Sequence, residues 1–330
     1  MLGGGTGQFN LLRGLVDYND PEFITAIPGT WDSGGSSGRL RTDLGVLPPG
    51  DARQCLIALM DDPAQRQVAL RLFDDRLAEQ NGPLQGHSLG NLIIARLDHI
   101  HQGQDRGLEA ARVLFGISSR VAPASPTRVQ LIAKYRSGLE IEGEGDIDQR
   151  WKREDFDPND RPVRIYFNTR ADANPQALAA LRDAEVIVFS PGSLYGSILP
   201  HFLVNGVPEA IMESRAQLVF ILNLMTERGQ TDFYKASDHL EAFLFYLGDP
   251  TRLNSMVVNH SPLDPEVVDL YASEGHQPFH IDEDRCLTLA PALHIERVAL
   301  AQYLRHEHLL RHESQALAIK VLDLAVHRQE

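Results

Sequence analysis

Five short segments of this chain carry residue types suited to gripping an anion. The first, Gly3-Gly4-Gly5-Thr6-Gly7, precedes an apolar spacing at Phe9, Leu12, Leu15 and Val16. Glycines let a phosphate approach backbone N–H groups at a helix start, which makes Gly4, Gly5, Thr6 and Gly7 candidate contacts. A plain tight turn is the competing reading. No Gly-Lys-Ser/Thr follows, so the segment is not a P-loop. The second, Asp32-Ser33-Gly34-Gly35-Ser36-Ser37-Gly38-Arg39, joins an acid, small residues and a guanidinium. Gly35 and Gly38 expose backbone, Ser36 and Ser37 can donate to phosphate oxygens, and Arg39 can clamp them bidentately. A solvated surface loop is the alternative.

Three further segments follow the same logic. Pro48-Pro49-Gly50-Asp51 opens a predicted helix, with Arg53 in reach. Asp32 and Asp51 are candidate ligands for magnesium, which takes one or two protein carboxylates plus substrate phosphates. An acid in a first helical turn is also a common cap. In Gly86-His87-Ser88-Leu89-Gly90-Asn91, His87 is a candidate general base or phosphate donor and Ser88 and Asn91 candidate phosphate contacts. The alternative is an N-terminal cap by Ser88 beside a packed histidine. Gly192 and Ser193 lie after an apolar run, with the wrong offset for a nucleophile elbow, so backbone anion contacts fit better. Asn223 and Asn259 end two more predicted strands. His308 and His312 stand one turn apart near His306, without an evident third metal ligand, and read as solvated-face histidines.

These segments need elements to bring them together. Residues 23–27, 186–189, 218–222 and 255–258 read as short apolar strands, the last three before Ser190, Asn223 and Asn259. Helical stretches lie between, including residues 64–80 and the run after Pro49. Alternating strands and helices predict a doubly wound, mostly parallel α/β sheet with ligands at the carboxyl ends of its strands. Residues 121–170, rich in charge, glycine and short alternations, predict a small strand-rich inserted cap. We therefore expect residues 1–260 to form the nucleotide-binding domain and residues 261–330 a helical extension packed on it. The tail after Ala292 reads as two helices.

Composition limits the partners. Lysine plus arginine number 31 against 45 aspartates plus glutamates, a formal charge of −14. Such a surface disfavours nucleic acid and anionic membrane. Cys55 and Cys286 form neither a metal spacing nor a disulfide framework, which points to a reducing, cytoplasmic setting. The apolar stretch over residues 186–204 is interrupted by Pro191, Gly192, Gly196 and Pro200, so no membrane span is expected.

Taken in order, Gly3-Gly4-Gly5-Thr6-Gly7, Gly34-Gly35-Ser36-Ser37-Gly38-Arg39-Leu40-Arg41, Leu47-Pro48-Pro49-Gly50-Asp51, Gly86-His87-Ser88-Leu89-Gly90-Asn91, Pro191-Gly192-Ser193-Leu194-Tyr195, Asn223-Leu224-Met225-Thr226 and Asp238-His239 resemble the CofD-like family. The match is best with its YvcK branch, the gluconeogenesis factors. The resemblance implies a Rossmann-like three-layer core. It implies either a UDP-sugar-binding regulator of carbon metabolism and cell-envelope morphogenesis, or a magnesium-dependent 2-phospho-L-lactate transferase of deazaflavin biosynthesis. A homodimer is implied as well. Three departures stand out. Ser33 replaces the second of two adjacent acids, which argues for weak magnesium binding. Pro28-Gly29 shortens or bends a strand. Only Met1 and Leu2 precede the glycine loop, where the family has a full strand, so an upstream start is expected.

Overall fold

In the computed structural model, which describes residues 1–78, 82, 84–305 and 309–326, seven parallel strands form the central sheet. They are β1 (Leu2–Gly3), β2 (Thr25–Pro28), β3 (Arg120–Val121), β7 (Val186–Phe189), β8 (Gln217–Ile221), β9 (Ser255–Asn259) and β10 (His294–Val298), in the order β10-β9-β8-β7-β1-β2-β3. A separate antiparallel sheet joins β4 (Leu131–Tyr135), β5 (Glu140–Glu142) and β6 (Pro162–Phe167), which is the inserted cap. A hairpin of β11 (Ala301–Leu304) and β12 (Leu309–His312) leads into the helix Ser314–Val326.

Side-chain alternation along the strands makes this a three-layer fold. Ile187, Phe189, Leu218, Phe220, Met256 and Val258 enter one hydrophobic core, while Val188, Val219, Ile221 and Val257 enter the other. Successive residues of a strand point to opposite faces, so continuously apolar strands demand a covered sheet on both sides. The helices Gly5–Tyr18, Gly50–Ala58 and Ser314–Val326 supply one cover, with Leu11, Leu15, Leu56 and Leu317 buried there. The helices Val207–Glu213 and Ala236–Leu247 supply the other, with Ile211 and Phe243.

Strand order reverses between β1 and β7, since β2 and β3 lie on one side and β8, β9 and β10 on the other. The crevice outside such a switch point is where open α/β sheets bind ligands. Leu2 pairs with Ile27 of β2 and with Phe189 of β7. The expected central strand is therefore present, paired on both sides at Leu2 and with β2 at Gly3.

Several expectations need correction. The helix anticipated over residues 64–80 is Pro63–Asp74, and residues 79 and 80 lie outside the described residues. Among the described residues the tail after Ala292 is not two helices, because β10 extends the main sheet and β11 and β12 precede the helix Ser314–Val326. Its apolar spacing imitates a helix, whereas the strand state depends on pairing with β9. His312 is buried rather than solvated, and its Nε2–H donates to the Leu222 carbonyl at 3.1 Å. His306 and His308 lie outside the described residues.

The tightness of the switch point has a measurable consequence. A Cβ on Gly7 would lie 2.0 Å from the Pro191 carbonyl oxygen, a backbone atom. Gly7→Ala should lower stability by about 1–3 kcal/mol, measured by urea unfolding. An unchanged midpoint would contradict this packing.

Candidate functional site

The crevice is built by helix entrances left without side-chain caps. The helix Gly5–Tyr18 follows β1 and is preceded by Gly4, and the helix Gly35–Leu44 follows the β2 loop and is preceded by Gly34. Neither N-cap offers a side-chain acceptor of its own, so first-turn N–H groups depend on other partners and carry the positive end of the helix dipole. Gly5 and Gly35 have φ of 60° and 46°, and a Cβ at either would meet open space. Glycine relieves the left-handed backbone there.

The loops touch one another. A Cβ on Gly3 would fall 2.0 Å from Ser190 Oγ, and one on Gly4 would fall 2.4 Å from Asp51 Oδ2. Asp51 accepts the Gly5 N–H at 2.9 Å, and Asp32 accepts the Gly34 N–H at 2.8 Å. Ser37 donates to Asp32. At the end of β7, Gly192 donates its N–H to Asn223 Oδ1 (2.9 Å) and accepts from Asn223 Nδ2 (2.8 Å). Ser193 Oγ accepts the Gly196 N–H at 3.3 Å and donates to Gln230 at 2.9 Å. Thus Gly4, Gly5, Thr6, Gly7, Asp32, Gly35, Ser37, Asp51, Gly192, Ser193 and Asn223 come from segments that converge on one crevice.

Other expected residues are placed differently. Ser36 Oγ pairs with His87 Nδ1 at 3.0 Å and accepts from Asn91 Nδ2 at 3.1 Å, all three side chains being buried. A serine beside a histidine suggests an activated nucleophile, but here the pair is sealed and tied to Asn91. Burial, then Arg39, holds the His87 imidazole below its usual range, so it is neutral near pH 7. Ser88 caps the helix Leu89–His101 by accepting the Asn91 N–H. Gly38 packs on the Ser33 carbonyl, while Arg39 is exposed. Arg53 turns away, donating to the Phe73 carbonyl and the Asp74 carboxylate. Asn259 holds the chain at Ser261, Leu300 and Ala301 rather than joining the crevice. His239, from the Asp238-His239 motif, is a core residue against Phe220 and Phe279.

The site also holds acids that the motifs did not reveal. Glu144 and Asp148 come from the helix Glu144–Asp148 of the cap, and Glu227 from the loop after β8. A Cβ on Gly196 would lie 3.2 Å from Glu144 Oε1. The cap is pinned here by the Gly145 N–H, which donates to Ser33 Oγ at 3.0 Å. Asp148 accepts from Gln230 Nε2 at 3.4 Å. The one available signal was Glu144 standing between two glycines, Gly143 and Gly145.

Crowding of these carboxyls shapes their charge. Burial, then repulsion from Asp32, pushes Asp51 up to about 7. Burial, then Asp32 and Asp51, pushes Glu144 well above the carboxylate range. Burial also raises Asp32, and it lifts Glu227 to about 7 with help from Asp148. Among the described residues no three His, Cys, Asp or Glu side chains are grouped so as to hold a metal ion. Asp32 and Asp51 suit a magnesium ion only where phosphate oxygens complete its shell.

Asp51 yields a stability test. Its folded value lies above the ordinary 3.8, so native-state stability is lost as pH rises from near 3.8 through about 7. Asp51→Asn keeps an acceptor for Gly5 and removes that cost. It should stabilise the protein by about 1–3 kcal/mol at pH 8 and leave it nearly unchanged at pH 4. Thermal melts at both pH values decide this, and a pH-independent difference would contradict the assigned burial.

Comparison with known proteins agrees with this picture. The family described as 2-phospho-L-lactate transferase CofD matches residues 1–297. The gluconeogenesis factor of Halalkalibacterium halodurans is 37% identical over 326 residues, covering 98% of this chain and 95% of that protein. The gluconeogenesis factor of Bacillus subtilis is 34% identical over 326 residues, covering 98% and 96%. A crystal structure of a Bacillus halodurans protein superposes with a TM-score of 0.87 at 35% identity, covering 97% of each chain. With this fold, this crevice and these relatives, the chain belongs to the CofD family, on the YvcK-type branch whose curated members are called gluconeogenesis factors.

Proposed function

We propose that this chain is a UDP-sugar-binding regulatory protein of the gluconeogenesis-factor type, acting in the cytoplasm on carbon metabolism and cell-envelope morphogenesis, as a homodimer. The observation that carries the reading is the pair of helix entrances at Gly5 and Gly35, neither with a side-chain acceptor at its own N-cap, beside the switch point between β1 and β7. Backbone N–H groups and helix dipoles favour a diphosphate. The acids around them oppose this less than free carboxylates would, because burial and mutual repulsion raise Glu144 well above the carboxylate range and Asp51 to about 7. A protonated carboxyl donates a hydrogen bond to a phosphate oxygen. No activated nucleophile lines the crevice among the described residues, which suits binding without turnover.

The second reading is a transferase of the CofD kind, favoured by the family's own description and by the paired carboxylates Asp32 and Asp51. Those two residues would anchor magnesium against ligand phosphates, and the ion would supply charge neutralisation at the transferring group. Asp51 and Asp32 bind and orient in that scheme, while the sealed His87 takes no proton.

Calorimetric titration with UDP-N-acetylglucosamine separates the two. Saturable binding is expected, stronger at pH 6 than at pH 8.5 without magnesium, since Asp51 ionises across that range. Magnesium should narrow the difference. No heat in either condition, together with GMP release from a guanylylated phospholactate in the presence of a deazaflavin acceptor, would replace the regulatory reading with the transferase.

A further inference from the structure

Arg39, on the helix Gly35–Leu44, and Arg76, just beyond the helix Pro63–Asp74, meet at Gly86. Arg39 lies one turn after Gly35, about 6 Å along the helix axis at 1.5 Å per residue. Its Nη2 stands 3.2 Å from where a Cβ of Gly86 would be. Arg76 reaches the same glycine from the other direction, donating from Nη1 to the Gly86 carbonyl at 3.0 Å. Both side chains are exposed, and among the described residues neither guanidinium has a carboxylate partner. In a chain of formal charge −14, two uncompensated guanidiniums converging on one glycine stand out.

The backbone fixes this convergence. Arg76 pairs with Ser88 in an antiparallel bridge. The Leu77 N–H donates to the His87 carbonyl, the Gly86 N–H to the Leu77 carbonyl, and the Leu89 N–H to the Asp75 carbonyl. The loop is in turn fastened to the helix entrance by His87 on Ser36. Gly86, with φ of 71°, leaves the space that Arg39 uses. Of the nearby acids, Asp74 is engaged with Arg53.

We infer that Arg39 and Arg76 form an anion clamp over Gly86 that grips a phosphate of the ligand seated at the Gly5 and Gly35 entrances. The inference rests on the nucleotide-binding reading above and adds Arg76 to it. Planar guanidiniums hold phosphate oxygens through paired N–H donors, and two on one oxyanion act as a unit. The clamp also supplies the positive charge that the acidic half of the crevice lacks.

Calorimetry on the full chain tests this with uridine, UDP and inorganic pyrophosphate as probes. Arg76→Ala and Arg39→Ala should each weaken UDP and pyrophosphate about tenfold or more, with uridine binding and the melting temperature unchanged. Arg76→Lys should recover only part of the loss. The double variant should lose less than the product of the two single losses. Wild-type affinity for UDP and pyrophosphate in Arg76→Ala would overturn the clamp. So would an equal loss for uridine with a lowered melting temperature, which would mark Arg76 as support for the loop alone. A wild-type chain that binds neither UDP nor pyrophosphate also overturns it. Pyrophosphate binding without UDP binding, lost in Arg76→Ala, would keep the clamp and reject the nucleotide reading.

Discussion

Everything at the centre of this protein depends on the close approach of the two loops that leave β1 and β7. Gly3 and Gly7 lack side chains where Ser190 Oγ and the Pro191 carbonyl occupy the space a Cβ would take. That contact lets a strand of two residues sit in the middle of a seven-stranded sheet. It also brings the Gly5 helix entrance and the Gly192-Ser193 loop to one crevice. Larger residues would push β1 from β7 and unpair backbone groups that are costly to leave unsatisfied.

A second constraint is electrostatic. The crevice gathers Asp32, Asp51, Glu144, Asp148 and Glu227 in a space where burial penalises charge. Protonation and main-chain donors relieve part of this, as with Gly5 on Asp51 and Gly34 on Asp32. Three imidazoles respond oppositely. His201, His239 and His312 are buried within the two cores and held neutral, at about 4, 3 and 4. The carboxyls therefore define where charge is negotiated, whereas His201 and His312 bond backbone carbonyls and His239 packs between Phe220 and Phe279.

The cap ties both themes together. Its small sheet carries no glycine loop of its own, yet it delivers Glu144 over the Asp32 and Gly196 segments through the Gly145 contact to Ser33. Trp31 locks the same region from beneath, donating Nε1–H to the Gly196 carbonyl at 2.7 Å and packing on Phe167 and His201. The site is thus a three-way junction between the sheet ends, the cap and the loop after β8.

The sequence by itself determined the parallel α/β class, three of the central strands almost to the residue, and the small-residue loops at their ends. Those signals are local, because apolar runs, glycine turns and helix openings each need only neighbouring residues to be read. Tertiary structure alone decided the rest. β10 is a strand because β9 offers it a partner, not because of its own spacing. Ser36, His87 and Asn91 hydrogen-bond one another while Asn91 Oδ1 stays unpaired, and Arg53 turns to Asp74 and the Phe73 carbonyl, because folding brings together groups that lie far apart in the chain. Glu144 and Glu227 enter the site across more than a hundred residues of chain from the first glycine loop. Their charge state is set by proximity and burial, which exist only once the chain is folded.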